Sequence, residues 1–139
     1  FDATDACGTP IYHTNVMMAL GRTLAVICLE AIADPRQRAT VLGHFQDTGK
    51  TVLTISRAQM HAFAGNMIEL QGWSGHPVFA LSRRAWLALT EAQRELIAAH
   101  AQPVVAPIDT IEHCGGGGTR CMVAEIHLPL RAEVMTRAV

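Results

Sequence analysis

No apolar run in this sequence approaches the ~20 residues that a membrane-spanning helix needs. Charge is also scarce, at 17% of residues, while half the residues are hydrophobic, and that composition excludes a disordered chain. Neither sign dominates, since eleven Lys and Arg face twelve Asp and Glu. With no basic run and no basic patch studded with aromatics, nucleic acid is excluded as the main partner. Only four cysteines are present, at no regular spacing, so no disulfide framework replaces a core. Reduced thiols in a cytoplasmic setting are the simpler expectation. The opening Phe1-Asp2-Ala3-Thr4-Asp5 has no initiator Met, basic n-region or apolar signal core. It reads as the middle of a longer sequence.

What is present fits one domain, or part of one, in 139 residues. Residues 15–20 and 23–33 are apolar runs around Gly21-Arg22, which predicts a β-hairpin buried on both faces. Asp34-Pro35 then supplies an N-cap and a proline at the first helical position. Val41, Leu42 and Phe45 form one face of a helix that ends near Gly49, and residues 51–55 form the next strand. That unit is ββαβ. Ser56 with Gln59 is a capping box for a short helix that stops near Gly65-Asn66. Residues 67–70 and 78–81 form a second hairpin around the turn at 72–75. Ser82 caps a helix over 83–89, Thr90 with Gln93 boxes one over 91–101, and 103–108 is a strand restricted by two prolines. Trp86, Leu89, Leu96 and Ile97 supply that region's buried face. The same order thus recurs after roughly fifty residues, and repetition is the main architectural signal. A partial third unit follows, with a strand over 123–130 and a short terminal helix or tail over 131–139.

The strongest local feature is Gly115-Gly116-Gly117-Gly118-Thr119-Arg120-Cys121. Four glycines in a row oppose order, because each loses more backbone entropy on folding than any other residue. Such a run is kept where side chains would obstruct a turn or a ligand. It is not a phosphate loop or a dinucleotide fingerprint, since no Gly-Lys-Ser/Thr follows and the next segment reads as a strand. Cys121 sits beside Arg120 at the mouth of that strand, and a guanidinium favours the reactive thiolate. It is either a nucleophile or a buried core cysteine. A thiol nucleophile needs an acid/base partner, and His13 stands at the approach to the first strand. His44, His61 and His100 fall in predicted helices and His76 in a turn, leaving His113 and His127 as rivals. On an extended strand His127 lies about 20 Å from Cys121, too far for contact. His113, Cys114, Cys121 and Cys7 could ligate a metal, but without Cys-x-x-Cys the zinc pattern is poor. Asp109 and Glu112 are acid/base candidates, and Glu112 could equally anchor the glycine loop through backbone N–H groups.

Four segments, taken together, resemble the amidinotransferase superfamily of guanidino-group-modifying enzymes, which includes arginine deiminase and dimethylarginine dimethylaminohydrolase. They are Phe1-Asp2-Ala3-Thr4-Asp5, Pro10-Ile11-Tyr12-His13-Thr14-Asn15-Val16-Met17-Met18, Phe63-Ala64-Gly65-Asn66-Met67-Ile68-Glu69-Leu70 and Gly116-Gly117-Gly118-Thr119-Arg120-Cys121-Met122. The chain is most similar to the citrulline-utilisation, arginine-deiminase-related branch. The resemblance implies the pentein fold, an α/β propeller of ββαβ units, with about two and a half of its five units present. Residues 1–139 would then be the C-terminal part of a single pentein domain. It implies a cysteine hydrolase acting on a guanidino or ureido amino acid, citrulline or arginine, through a covalent thiol intermediate. The alternatives are an amidinotransferase, a dimethylarginine hydrolase or a non-catalytic binding module.

The same resemblance makes Cys121 the nucleophile and His13 the acid/base, with Asn15, Arg120 and Asn66 as substrate-binding residues and no metal or cofactor. Arginine deiminase has Asp where this chain has Asn15, which weakens that specific activity. The family's substrate-gripping carboxylates would lie before Phe1, so the partner expected is an N-terminal half of the same protein or a second copy. The chain alone should not turn over. Cys121 and His13, more than a hundred positions apart, should meet at one cleft, and some strand faces or edges should be left exposed.

Overall fold

The computed structural model describes residues 1–126 and residue 128. Its first unit consists of β1 (Met18–Leu20), β2 (Leu24–Ile27), α1 (Pro35–Asp47) and β3 (Thr51–Thr54). β1 runs antiparallel to β2 with Met18 opposite Ile27, and β3 runs parallel to β2 with Leu24 opposite Thr51. After α2 (Arg57–His61) the order repeats. β4 (Ile68–Gln71) pairs antiparallel with β5 (Pro77–Ser82), helices α3 (Arg83–Ala88) and α4 (Glu91–His100) cross over, and β6 (Gln102–Ala106) pairs parallel with β5. α5 (Asp109–Gly115) follows. Each three-stranded sheet therefore has the same strand order, set by a tight turn and then a helical crossover.

Local sequence explains these elements. Asp34 accepts from the Arg36 N–H at the start of α1, behind Pro35. Both capping boxes form, at Ser56/Gln59 and Thr90/Gln93, and Ser82 caps α3. Each cap stabilises by about 1 kcal/mol. The two box glutamines also join the units: Gln59 Nε2 donates to Gln93 Oε1 at 2.6 Å, and Gln93 Nε2 donates to Thr54 O at 2.9 Å. At the other end Arg22 pairs with Glu69 at 3.2 Å, where β1 and β4 touch. One hydrophobic cluster runs through both units and includes Met17, Leu24, Val26, Ile27, Phe79, Leu81 and Ile97. Each such side chain stabilises by roughly 1.5–3 kcal/mol on burial.

Three expectations are corrected. Residues 15–20 are not one strand, because His13 caps a 3-10 turn over Thr14–Val16 and only Met18–Leu20 is extended. The run 23–33 leaves the sheet after Ile27 and turns through a 3-10 segment at Leu29–Ala31. Cys121 is not at the mouth of a strand. It lies within a 3-10 turn, Thr119–Met122, and residues 123–126 join no sheet. The rest of the expected last strand, with His127, and the expected helix over 131–139 fall outside the described residues, apart from Leu128. Exposed apolar strand residues are present, at Leu20, Val104 and Val105. No helix among the described residues is long and apolar enough to cross a membrane.

Candidate active site

Each unit approaches its first strand through a short loop, and the candidate residues lie there. In the first, His13 Nδ1 accepts the Asn15 N–H at 3.1 Å. With Nδ1 acting as acceptor, the neutral ring carries its proton on Nε2. In the second, Phe63 adopts a left-handed φ of 65°, uncommon for a non-glycine residue, and its carbonyl accepts the Asn66 N–H at 2.8 Å. Gly65 lies against the first unit so closely that a Cβ there would fall 2.8 Å from Val16 O and Met17 C.

Asn66 is buried and its side chain links three segments. Its Nδ2 donates to Asn15 O at 3.0 Å and to Cys121 Sγ at 3.2 Å, while its Oδ1 accepts the Cys121 N–H at 3.4 Å. Its main-chain oxygen accepts the Arg120 N–H at 3.3 Å. The Asn15 carbonyl and Cys121 Sγ both take amide hydrogens, and the Cys121 N–H is shared between Gly118 O at 3.2 Å and Oδ1, so one amide orientation suits all three contacts. Gly118 permits this approach, since a Cβ there would lie 3.0 Å from Asn66 Oδ1 and 3.2 Å from Phe63 Cβ.

These contacts follow a register absent from the sequence reading. Asn15 and Asn66 each stand six residues before a turn glycine, Gly21 and Gly72, and each follows an aromatic by three, Tyr12 and Phe63. In the third segment Gly118 and Cys121 hold the same spacing. The glycine replaces the aromatic where the backbone must pass Phe63.

Cys121 and His13 line one cavity of about 410 Å³, with Tyr12, Asn15, Val16, Met60, His61, Phe63, Asn66 and Gly116. Tyr12, Val16, Met60 and Phe63 make part of its wall apolar. His61, dismissed from sequence as a helix residue, stands on this wall at the end of α2. The aromatic-x-x-Asn spacing would have found Tyr12 and Phe63; nothing in the local pattern marks His61. A neighbouring cavity of about 240 Å³ shares Tyr12, Val16, Met60 and His61 and includes Asp5. The Thr9 N–H holds the Asp5 carboxyl below its ordinary range, against a smaller opposing effect of burial, with help from the Cys7 N–H and the nearby His61.

Arg120 stands elsewhere. It lines a separate cavity with Asn15, Met18, Leu20 and Met67, and its guanidinium donates to Val123 O at 3.1 Å. Glu112 does not anchor the glycine loop, because neither carboxylate oxygen has a hydrogen-bond partner among the described residues although the side chain is buried. Asp109 pairs instead with Arg83 at 2.5 Å on the surface. His113, Cys114, Cys121 and Cys7 do not assemble, as no three His, Cys, Asp or Glu side chains converge among the described residues. Cys7, Cys114 and Cys121 are exposed free thiols, whereas Cys28 is buried and burial pushes its thiol up.

The family profile for N,N dimethylarginine dimethylhydrolase, eukaryotic, matches residues 1–128, a span that includes both His13 and Cys121. The chain belongs to this family. No curated protein matches it. Membership puts the chain in the pentein superfamily that its segments resemble, among hydrolases of C–N bonds in guanidino groups. The mixed α/β architecture, with two small sheets among the described residues, fits a pentein-type fold.

Proposed function

We propose that this chain carries the nucleophile and acid/base of a hydrolase that cleaves a C–N bond of an N-methylated arginine. The observation that carries the reading is the shared cavity of Cys121 and His13. The sequence resemblance ranked citrulline or arginine first; family membership favours dimethylarginine over both. The apolar wall of Tyr12, Val16, Met60 and Phe63 suits N-methyl groups and an aliphatic chain. The two ββαβ units are then two blades of a five-bladed propeller, with residues 109–126 beginning a third.

In the proposed reaction the Cys121 thiolate attacks the guanidinium carbon and forms a C–S bond. The C–N bond to dimethylamine breaks as His13, in its doubly protonated form, gives that nitrogen a proton. A water then adds to the same carbon, passing a proton back to His13, and the C–S bond breaks to leave citrulline and the thiolate. Because the acid form has protons on both ring nitrogens, this step requires His13 to release the Asn15 N–H that it now accepts. No Asp or Glu stands among the cavity's lining residues within the described part of the chain, and we assign the carboxylates that would grip the guanidinium to another part of the same protein or a second copy. Free thiols support a reducing, cytoplasmic setting.

Amine or ammonia release from dimethylarginine, arginine and citrulline tests this. In the full-length protein Cys121→Ser should abolish turnover. His13→Asn, which keeps an N-cap acceptor, should lower kcat by about 10²–10⁴-fold without unfolding. Full activity of Cys121→Ser would refute the covalent route, and faster turnover of arginine or citrulline would refute dimethylarginine as the preferred substrate. Brisk turnover by the 139-residue chain alone would refute the need for outside carboxylates.

A further inference from the structure

We infer that Asn66 is a positioning residue for the nucleophile, holding the Cys121 sulfur by one amide hydrogen and stabilising its thiolate form, rather than a ligand for substrate. Three observations carry this. The side chain is 4% exposed and so has little surface to offer a ligand. Both amide hydrogens are engaged, one on Asn15 O and one on Cys121 Sγ, and the amide oxygen shares the Cys121 N–H with Gly118 O. The glycine at 118 is the residue whose absent Cβ lets the Cys121 turn reach that amide.

The chemistry has a direction. An N–H aimed at sulfur interacts more strongly with a thiolate than with a thiol, because hydrogen bonds to charged acceptors are the stronger class. The Arg120 guanidinium, the donor expected from sequence, is on Val123 O. Cys121 is also exposed, so its charged form needs a fixed donor to keep one orientation toward the cavity. Anchoring on Asn15 O fixes the amide to the first unit, and the same amide then fixes the sulfur. His13 is tied to that point too, through the Asn15 N–H. One residue's backbone thus sets the spacing of nucleophile and histidine.

The inference rests on the proposed function only for the word nucleophile, and its test needs no turnover. The full-length protein is alkylated with iodoacetamide across a pH series, and each cysteine is followed by peptide mass. Cys7 and Cys114, both exposed, are internal references, and the buried Cys28 reports unfolding. In Asn66→Leu, Cys121 labelling at neutral pH should fall at least about tenfold against the references, and its profile should move to higher pH, with Cys28 still protected. Gly118→Ala keeps Asn66 but crowds its oxygen, and should slow Cys121 several-fold. An unchanged ratio and midpoint in Asn66→Leu with Cys28 protected would overturn the inference, above all if KM alone rose, as loss of a substrate ligand would give. If Cys28 becomes labelled in Asn66→Leu, the Gly118→Ala ratio decides, and no change there overturns it. Turnover by Cys121→Ser tests the nucleophile separately, so the two failures are told apart.

Discussion

The two ββαβ units share strand order and capping chemistry but not burial. In the first, every residue of β2 is buried, so its run Leu24-Ala25-Val26-Ile27 is covered on both faces. In the second, β6 leaves Val104 45% and Val105 37% exposed, and only half of β5 is fully covered. The asparagines at matching positions divide the opposite way. Asn15 of the well-buried unit is half-exposed and lines two cavities, whereas Asn66 of the more open unit is buried and fully engaged. Repetition therefore supplies the place, and what packs against that place decides the role. The second asparagine's side chain is spent on the first one's backbone and on Cys121, while no hydrogen bond among the described residues uses the Asn15 side chain.

The junction between the units gives the largest expected effect. Gly65→Ala puts a Cβ within 2.8 Å of Val16 O and Met17 C, both backbone atoms that cannot rotate away. Destabilisation of about 1–3 kcal/mol is expected, read as a lower denaturation midpoint, together with slower Cys121 alkylation as Asn66 is pushed off. A neutral result would mean that the units are not held at this contact. The contrast in burial is sharpened by one substitution made twice. Val26→Thr puts a hydroxyl in place of a methyl at a fully buried position of β2, and should cost roughly 1–3 kcal/mol. Val104→Thr on β6 should stay within about 0.5 kcal/mol, because its side chain already meets solvent. Equal losses at the two sites would erase the difference between the sheets.

The caps and hairpins were legible in the sequence because their determinants are local. Ser56/Gln59 and Thr90/Gln93 need only three residues of spacing, and Asp34-Pro35 needs two. The start of the first strand is not legible, because Asn15 and Val16 look extended in an apolar run while the His13 side chain bends them into a 3-10 turn. The Cys121 turn is hidden in the sequence for a different reason. Its backbone N–H bonds go to Gly118 O and Asn66, and the second of these partners lies 55 positions away. Arg120 illustrates the limit of adjacency: next to Cys121 in sequence, it donates to Val123 O and lines another cavity. The pairing of His13 with Cys121 came from motif resemblance, since no local pattern links residues so far apart. The link through Asn66 was visible only once the two loops were folded side by side.

The smallest expected change in stability is also the most discriminating between the two asparagines. Everything the fold takes from Asn15 comes from its backbone: the N–H reaches His13 Nδ1 and the carbonyl receives the Asn66 amide. Alanine retains both groups. Asn15→Ala should therefore shift stability by less than about 0.5 kcal/mol and leave the Cys121 alkylation profile where it is. Asn15 lines the cavity shared by Cys121 and His13, and losing one neutral hydrogen bond from its side chain to a bound ligand there should raise KM for dimethylarginine about three- to tenfold. That split separates a residue that meets substrate from one that holds the nucleophile, since Asn66→Leu should change alkylation. If Asn15→Ala instead slows alkylation as Asn66→Leu does, the sulfur depends on the first asparagine's side chain as well. The assignment of different roles to the two matched positions would then fail.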